Sequence, residues 1–227
     1  MLRKIIKKVV RFFQVLPIMA QSIGEVLRHG GSSRINVAVV GSGKTLLGRR
    51  VLITGGSSGI GLSIARKCLN EGAQVVITGR NYDKLKDATE DLDSDRLKPL
   101  VWDVGNVSLI DEKLKEVEIL LGGEIDVLVN NAGVLLGEAF PNISEEVWDQ
   151  SYQVNSKGVF FLTQKVCKNW LKADSHSMRK VINISSQGGF VGSLHPYRMT
   201  KWDIAGLTQG LGIKLAPKGI IVNGIAP

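Results

Sequence analysis

Val51-Leu52-Ile53-Thr54-Gly55-Gly56-Ser57-Ser58-Gly59-Ile60-Gly61 is the stretch that decides the fold. A short β-branched run passes directly into a glycine-rich segment and then into the amphipathic stretch Leu62–Glu71, which reads as strand, tight turn and helix. Glycines at such a junction permit the turn, let backbone N–H groups approach a pyrophosphate, and let helix pack closely on strand. The helix N-terminus adds partial positive charge where phosphates would sit. A glycine loop alone is a weak signal, and the strand before it and the helix after it give it weight.

The same alternation runs outward from this segment. Strands are predicted at Val51–Thr54, Gln74–Thr78, Leu97–Trp102, Asp126–Asn130, Lys180–Ser185 and Ile220–Gly224, with helices near 59–71, 82–91, 108–121, 144–172 and 196–215. Consecutive βαβ units of this kind imply an α/β fold, a Rossmann-type doubly wound parallel sheet in three layers. No internal repeat is visible.

The composition, 227 residues with 44% hydrophobic and 22% charged side chains, is that of an ordinary globular protein with one sizeable core. The net charge of +8 is not spread over it. Residues 1–50 carry ten Lys/Arg against Glu25 alone, or +9, and residues 51–227 carry 19 basic and 20 acidic side chains, or −1. The main body therefore lacks the basic surface of a nucleic-acid binder. Cys68 and Cys167 lie far apart and suit neither a disulfide framework nor a zinc set, so both read as inert thiols and no metal site is expected.

Three divisions follow: a basic amphipathic extension over 1–30, a linker or extra strand over 31–45, and a dinucleotide-binding catalytic domain over 46–227. In residues 1–16 basic and apolar side chains fall on opposite sides of a helical wheel, and charges interrupt every apolar run. No membrane-spanning helix is expected there, and the readings left are peripheral contact with an anionic membrane, packing on a partner or a second subunit, or an organellar presequence. The expected location is cytoplasmic, peripheral at a membrane under the first of these. Ala38-Val39-Val40-Gly41-Ser42-Gly43-Lys44-Thr45 imitates a phosphate loop, yet only Leu46–Arg50 precede the next strand, which leaves no room for the helix such a loop requires.

The spacing T-G-x-x-x-G-x-G resembles the short-chain dehydrogenase/reductase family. Further matches follow in order: Asp103-Val104, Asn130-Asn131-Ala132-Gly133, Val154-Asn155-Ser156-Lys157-Gly158, Asn183-Ile184-Ser185-Ser186, and Tyr197 with Lys201. The resemblance implies a nicotinamide cofactor on Thr54, Gly55, Ser57, Ser58, Gly59, Ile60 and Gly61. It also implies Asp103 and Val104 against the adenine, and Asn131, Ala132 and Gly133 along the cleft. At the end of the second strand, Gly79 stands where an acid would bind a ribose 2′-OH, and Arg80 can meet a 2′-phosphate, so NADP(H) is expected over NAD(H).

The resemblance makes Tyr197 the general acid/base, Lys201 its activator and a ligand of the cofactor ribose, Ser186 the group that orients the substrate oxygen, and Asn155 the support of a proton relay. The physics is adequate. Tyrosine titrates near 10, and lowering that by three units takes roughly 4 kcal/mol. A cation about 4 Å away at an effective dielectric near 20 supplies on the order of 4 kcal/mol. Ser185, one residue away, is the alternative to Ser186.

The activity implied is hydride transfer between NADP(H) and a small-molecule carbonyl or alcohol, by a homodimer or homotetramer paired through the helices near 144–172 and 196–215. The other reading is a non-catalytic NADP(H)-binding regulatory or scaffold protein. Two departures bear on this choice: the interval from Ser186 to Tyr197 is shorter than is usual in the family, and Arg198 and Met199 replace the usual small residues. His195 and Arg198 read as contacts to an anionic substrate, as loop surface or as subunit contacts. The family pattern normally continues beyond Ile225-Ala226-Pro227 with a substrate-covering segment and a last strand, so a C-terminally truncated form, or one completed by a partner, is expected.

Overall fold

The computed structural model describes residues 45–137, 140–173 and 179–227. The expectations for the extension over 1–30 and for most of the 31–45 segment lie outside the described residues. Thr45–Gly48 forms a turn that leads into the first strand, so the helix that a phosphate loop requires does not follow Thr45; the rest of that pattern lies outside the described residues.

Six parallel strands form one sheet in the order β3-β2-β1-β4-β5-β6. They are β1 Arg50–Ile53, β2 Gln74–Gly79, β3 Leu97–Val101, β4 Val127–Asn130, β5 Arg179–Ile184 and β6 Ile220–Ile225. Each begins or ends within about a residue of the sequence expectation. Register is continuous across the sheet: Leu52 pairs with Val76 and Leu128, and Val181 pairs with Leu128 and Val222. The order reverses between β1 and β4, the crevice where ligands of open α/β sheets bind.

The helices are α1 Gly59–Asn70, α2 Tyr82–Leu92, α3 Ile110–Leu121, α4 Glu145–Tyr152, α5 Val159–Lys172 and α6 Pro196–Leu215. Strand alternation divides the core between the two faces of the sheet. Val51, Ile53, Val75 and Ile77 pack with Ala65 and Leu69 of α1 and Leu85 and Ala88 of α2. Leu52, Val76, Leu128 and Val181 pack with Leu114 and Val117 of α3, Leu162 and Val166 of α5, and Leu215 at the end of α6. The three-layer doubly wound fold is thus present.

Local chemistry sets the helix ends. Asn81 caps α2 by accepting from Lys84 N, Ser144 caps α4 by accepting from Val147 N, and Pro196 opens α6 in the first position, where its missing N–H costs nothing. The single helix expected over 144–172 is interrupted. Gln153–Gly158 is a π-helical turn between α4 and α5. Sequence periodicity does not register one extra residue in a turn, and such turns recur at functional positions. Gly158 lets this turn approach the end of β3: a Cβ there would stand 2.5 Å from the Val104 carbonyl oxygen.

Candidate active site

The glycine loop and the Asn131-Ala132 segment form one hydrogen-bonded unit at the switch point. Thr54 Oγ1 accepts from the N–H groups of Asn131 and Ala132, each at 3.0 Å, and donates to Val129 O at 3.3 Å. Asn131 Nδ2 donates to Thr54 O at 3.0 Å and Gly55 O at 2.8 Å. Gly55 has φ +64°, and a Cβ on it would lie 2.8 Å from Ala132 Cα, so both conformation and space require glycine. A Cβ on Gly61 would overlap the Gly55 carbonyl oxygen and Asn131 Nδ2.

Above this unit α1 begins with no acid in its first turn, and Ser58 occupies the cap without a side-chain bond to the helix. The first helical amides, which have no intrahelical acceptor, and the helix dipole together favour an anion.

The loop borders a cleft of about 400 Å³. Gly55, Ser57, Ser58 and Ile60 line one side, with Arg80, Asp103, Val104, Asn131, Ala132 and Gly133 around the rest. Thr54, Gly59 and Gly61 shape the loop without lining the cleft. Asp103 also shapes its surroundings, accepting from Gly105 N at 3.0 Å. Sequence reasoning missed Asn81 and Lys84, which line the cleft beside Arg80. The available signal was spacing: Lys84 stands one helical turn beyond Arg80, in the first turn of α2. Arg80 and Lys84 are exposed, and neither has an ion-pair partner among the described residues.

Tyr197, Lys201, Asn155 and Ser186 gather at the neighbouring strand ends. Lys201 is 4% exposed, with Nζ donating to Ile184 O at 2.8 Å and standing 5.4 Å from the centre of the Tyr197 ring. A Cβ on Gly133, in the cleft wall, would lie 3.8 Å from the same Nζ. The lysine ammonium is thus close both to the cleft wall and to the tyrosine. Asn155 is buried in the π turn; its Oδ1 accepts from Val134 N at 2.8 Å, and its Nδ2 donates to Val134 O at 2.9 Å and to Thr200 Oγ1 at 3.2 Å. The side chain therefore clamps the chain after Gly133 to the first turn of α6.

The two serines separate by environment. Ser185 is buried and donates to Lys201 O at 3.0 Å, whereas Ser186 is half-buried, accepts from Gly188 N at 3.2 Å, and still has its O–H to give. His195 caps α6 by accepting from Tyr197 N through Nδ1 at 3.2 Å. Arg198 lies with its aliphatic stem along Gly188, where a Cβ would meet its Cγ at 2.8 Å.

Burial lowers the Lys201 pKa from 10.5 to about 8. Because folding depresses it, the buried cation opposes folding below pH about 8, and that cost is relieved as pH rises from about 8 toward 10.5. If this cation helps hold an anionic dinucleotide, NADPH affinity falls as pH rises above about 8, and Lys201→Met shows weaker binding without that fall. Fluorescence titrations across this range check both outcomes.

A doubly wound sheet with a glycine loop at its switch point, and a Tyr/Lys pair beside the same crevice, defines a dinucleotide-dependent oxidoreductase class. The comparisons agree: the family model for short chain dehydrogenases matches residues 49–227, and the chain belongs to that family. It is 36% identical over 178 residues to an uncharacterised oxidoreductase of Staphylococcus aureus (strain N315), covering 78% of this chain and 75% of that one. Among solved structures it is similar to a variant of actinorhodin polyketide ketoreductase with NADPH, with TM-score 0.73, 34% identity, and coverage of 79% of this chain and 69% of that one. It is also similar to the 3-ketoacyl-(acyl-carrier-protein) reductase of Brucella melitensis complexed with NADH, with TM-score 0.75, 27% identity, and coverage of 81% and 76%.

Proposed function

We propose that this oxidoreductase interconverts a carbonyl and an alcohol with NADP(H), and that Tyr197, Lys201, Ser186 and Asn155 form its catalytic machinery. The observation that carries this reading is the place of Lys201 Nζ, close both to the Tyr197 ring and to the Gly133 wall of the cleft. The residues present fit a dinucleotide. Glycine at 55 and 61 lets the loop pack directly on Ala132 and on its own backbone, and the cleft that the loop borders is of suitable size. Ser57, Ser58, Ile60 and the start of α1 would hold the phosphates, Asp103 and Val104 would lie against the adenine, and Asn131, Ala132 and Gly133 would line the rest of the cofactor cleft. Bound there, the cofactor supplies or accepts hydride.

The chain's own groups do the rest. Tyr197 gives a proton to the developing alkoxide in reduction and takes it back in oxidation. Lys201 stabilises the tyrosinate by its charge, and Ser186 donates to the substrate oxygen as negative charge grows there. Asn155 is a positioning residue that fixes Val134 and the start of α6.

The reading of NADP(H) over NAD(H) rests on Gly79, Arg80 and Lys84, which offer no carboxylate to a ribose 2′-OH and two unpaired cations to a 2′-phosphate. Similar proteins are solved with NADPH and with NADH, so the chain's own cations carry this point. Arg80→Ala is expected to weaken NADPH binding by about 10- to 100-fold, the worth of one charge-assisted contact, and to leave NADH binding nearly unchanged. Lys84→Ala shifts the ratio in the same direction. Dissociation constants for both cofactors test this, and an equal loss for NADH contradicts it.

No helix among the described residues is long and apolar enough to cross a membrane. The enzyme works as a homodimer or homotetramer, supported by the exposed Phe160, Phe161 and Trp202 on α5 and α6, and it is cytoplasmic, with residues 1–16 resting on anionic membrane. One ultracentrifugation series, with and without anionic vesicles and with and without residues 1–30, checks both points. A monomer at micromolar concentration contradicts the first, and equal vesicle binding by both forms contradicts the second.

A further inference from the structure

The substrate's chemistry is legible in the segments that flank Ser186 and Tyr197, given the carbonyl/alcohol reading above. Residues 133–137 and 140–144 follow β4, and residues 187–195 precede α6. The two segments meet where Phe140 N–H reaches the Leu194 carbonyl at 3.5 Å. Together these described residues contain no Asp, Glu, Lys or Arg. Five large apolar side chains on them remain exposed: Leu135 at 68%, Phe140 at 67%, Phe190 at 60%, Val191 at 50% and Leu194 at 67%.

This exposure is built in. Ser186 caps the 3-10 turn Gln187–Phe190, and Gly189 is pressed against α6 so closely that a Cβ would stand 2.6 Å from Lys201 O. Trp202 Nε1 donates to Val191 O at 2.9 Å and ties the segment to the same helix. The contacts that place Ser186 and Tyr197 therefore also hold Phe190, Val191 and Leu194 outward. Grouped apolar exposure on fixed backbone marks a contact surface, and here residues 187–195 are the stretch of chain that joins Ser186 to the start of α6 and Tyr197. Ligand sites combine apolar walls with a few polar anchors, and Ser186 and Tyr197 are those anchors.

We propose that these two segments are the walls of the substrate subsite, and that the substrate is a carbonyl or alcohol bearing an extended, uncharged apolar group, an alkyl chain or ring system. A polyol or a small charged keto acid would leave these walls facing polar groups with nothing to bond them.

The test uses the full chain with NADPH and a series of methyl ketones from acetone to methyl octyl ketone. Two readouts are taken: kcat/KM for each ketone, and displacement of Nile red by the matching secondary alcohols. Both are expected to improve about two- to fourfold per added methylene, the upper figure being full burial. Phe190→Ser and Leu194→Ser, at exposed positions, flatten the slope, while Phe190→Leu retains it; melting midpoints check the fold. A flat series, a preference for sugar-like or carboxylate ketones, or a slope that survives both serine variants overturns the proposal. So does concentration-dependent self-association that removes the displacement signal, since a second copy then covers the walls. Displacement that rises with chain length in the absence of turnover supports the subsite and rejects the reductase reading. Turnover without a slope does the reverse.

Discussion

Tyr197→Phe is expected to lower ketone reduction by about 100- to 10,000-fold, the range for loss of a positioned acid/base, and to change NADPH affinity little. The reason is geometric. The substitution removes one oxygen and keeps the ring, which stands 5.4 Å from Lys201 Nζ, so the buried lysine keeps its neighbour and its bond to Ile184 O. What is lost is the proton donor. Ser186 cannot replace it, because a hydroxyl without a neighbouring base orients an oxygen and gives up no proton at neutral pH. Steady-state rates with NADPH and a fixed ketone, paired with cofactor titrations, separate the outcomes. A variant as fast as the wild type contradicts the role of Tyr197. A wild type that binds NADPH tightly and reduces nothing supports the scaffold reading, for which the shortened Ser186–Tyr197 interval and the Arg198 stem on Gly188 offer a basis.

Gly61→Ala is expected to weaken NADPH binding by about 100-fold, or about 3 kcal/mol. An added methyl overlaps the Gly55 carbonyl and the Asn131 amide, which are backbone and a side chain held by two hydrogen bonds, so neither yields without distorting the cradle. Overpacking of this kind costs the fold about 1–3 kcal/mol. Gly59→Ala is the control. Its φ is +54° but a Cβ there meets nothing within 4 Å, so only backbone strain of about 1 kcal/mol arises. Cofactor titrations and thermal melts of both variants test the contrast. Equal binding by Gly61→Ala and wild type removes the cradle from the account.

The fold was readable because apolar alternation and turn chemistry act locally. Val51 to Ile53 and Val75 to Ile77 declare buried parallel strands, and the glycines after Thr54 declare the turn. Ten cleft-lining residues lie in motifs whose spacing the sequence displays. What it concealed depended on distant segments meeting. Asn155 clamps Val134 across 21 positions, and Ser185 is spent on the Lys201 carbonyl 16 positions away. Lys84 joins Arg80 only because α2 starts where it does, at the Asn81 cap. The π turn escaped because hydrophobic periodicity is blind to one extra residue within a helix that stays amphipathic. The ring of His195 caps α6 through Nδ1, a role that spacing does not announce because it depends on Pro196 opening the helix.

A reductase with Arg80 and Lys84 beside its cofactor cleft is expected to favour a 2′-phosphate. The most direct test is kcat/KM measured for NADPH and for NADH with a long-chain methyl ketone under one set of conditions. The account predicts ketone-dependent oxidation of NADPH, with a preference over NADH of about tenfold or more that falls toward unity in Arg80→Ala. Turnover with NADH equal to or faster than with NADPH would contradict it.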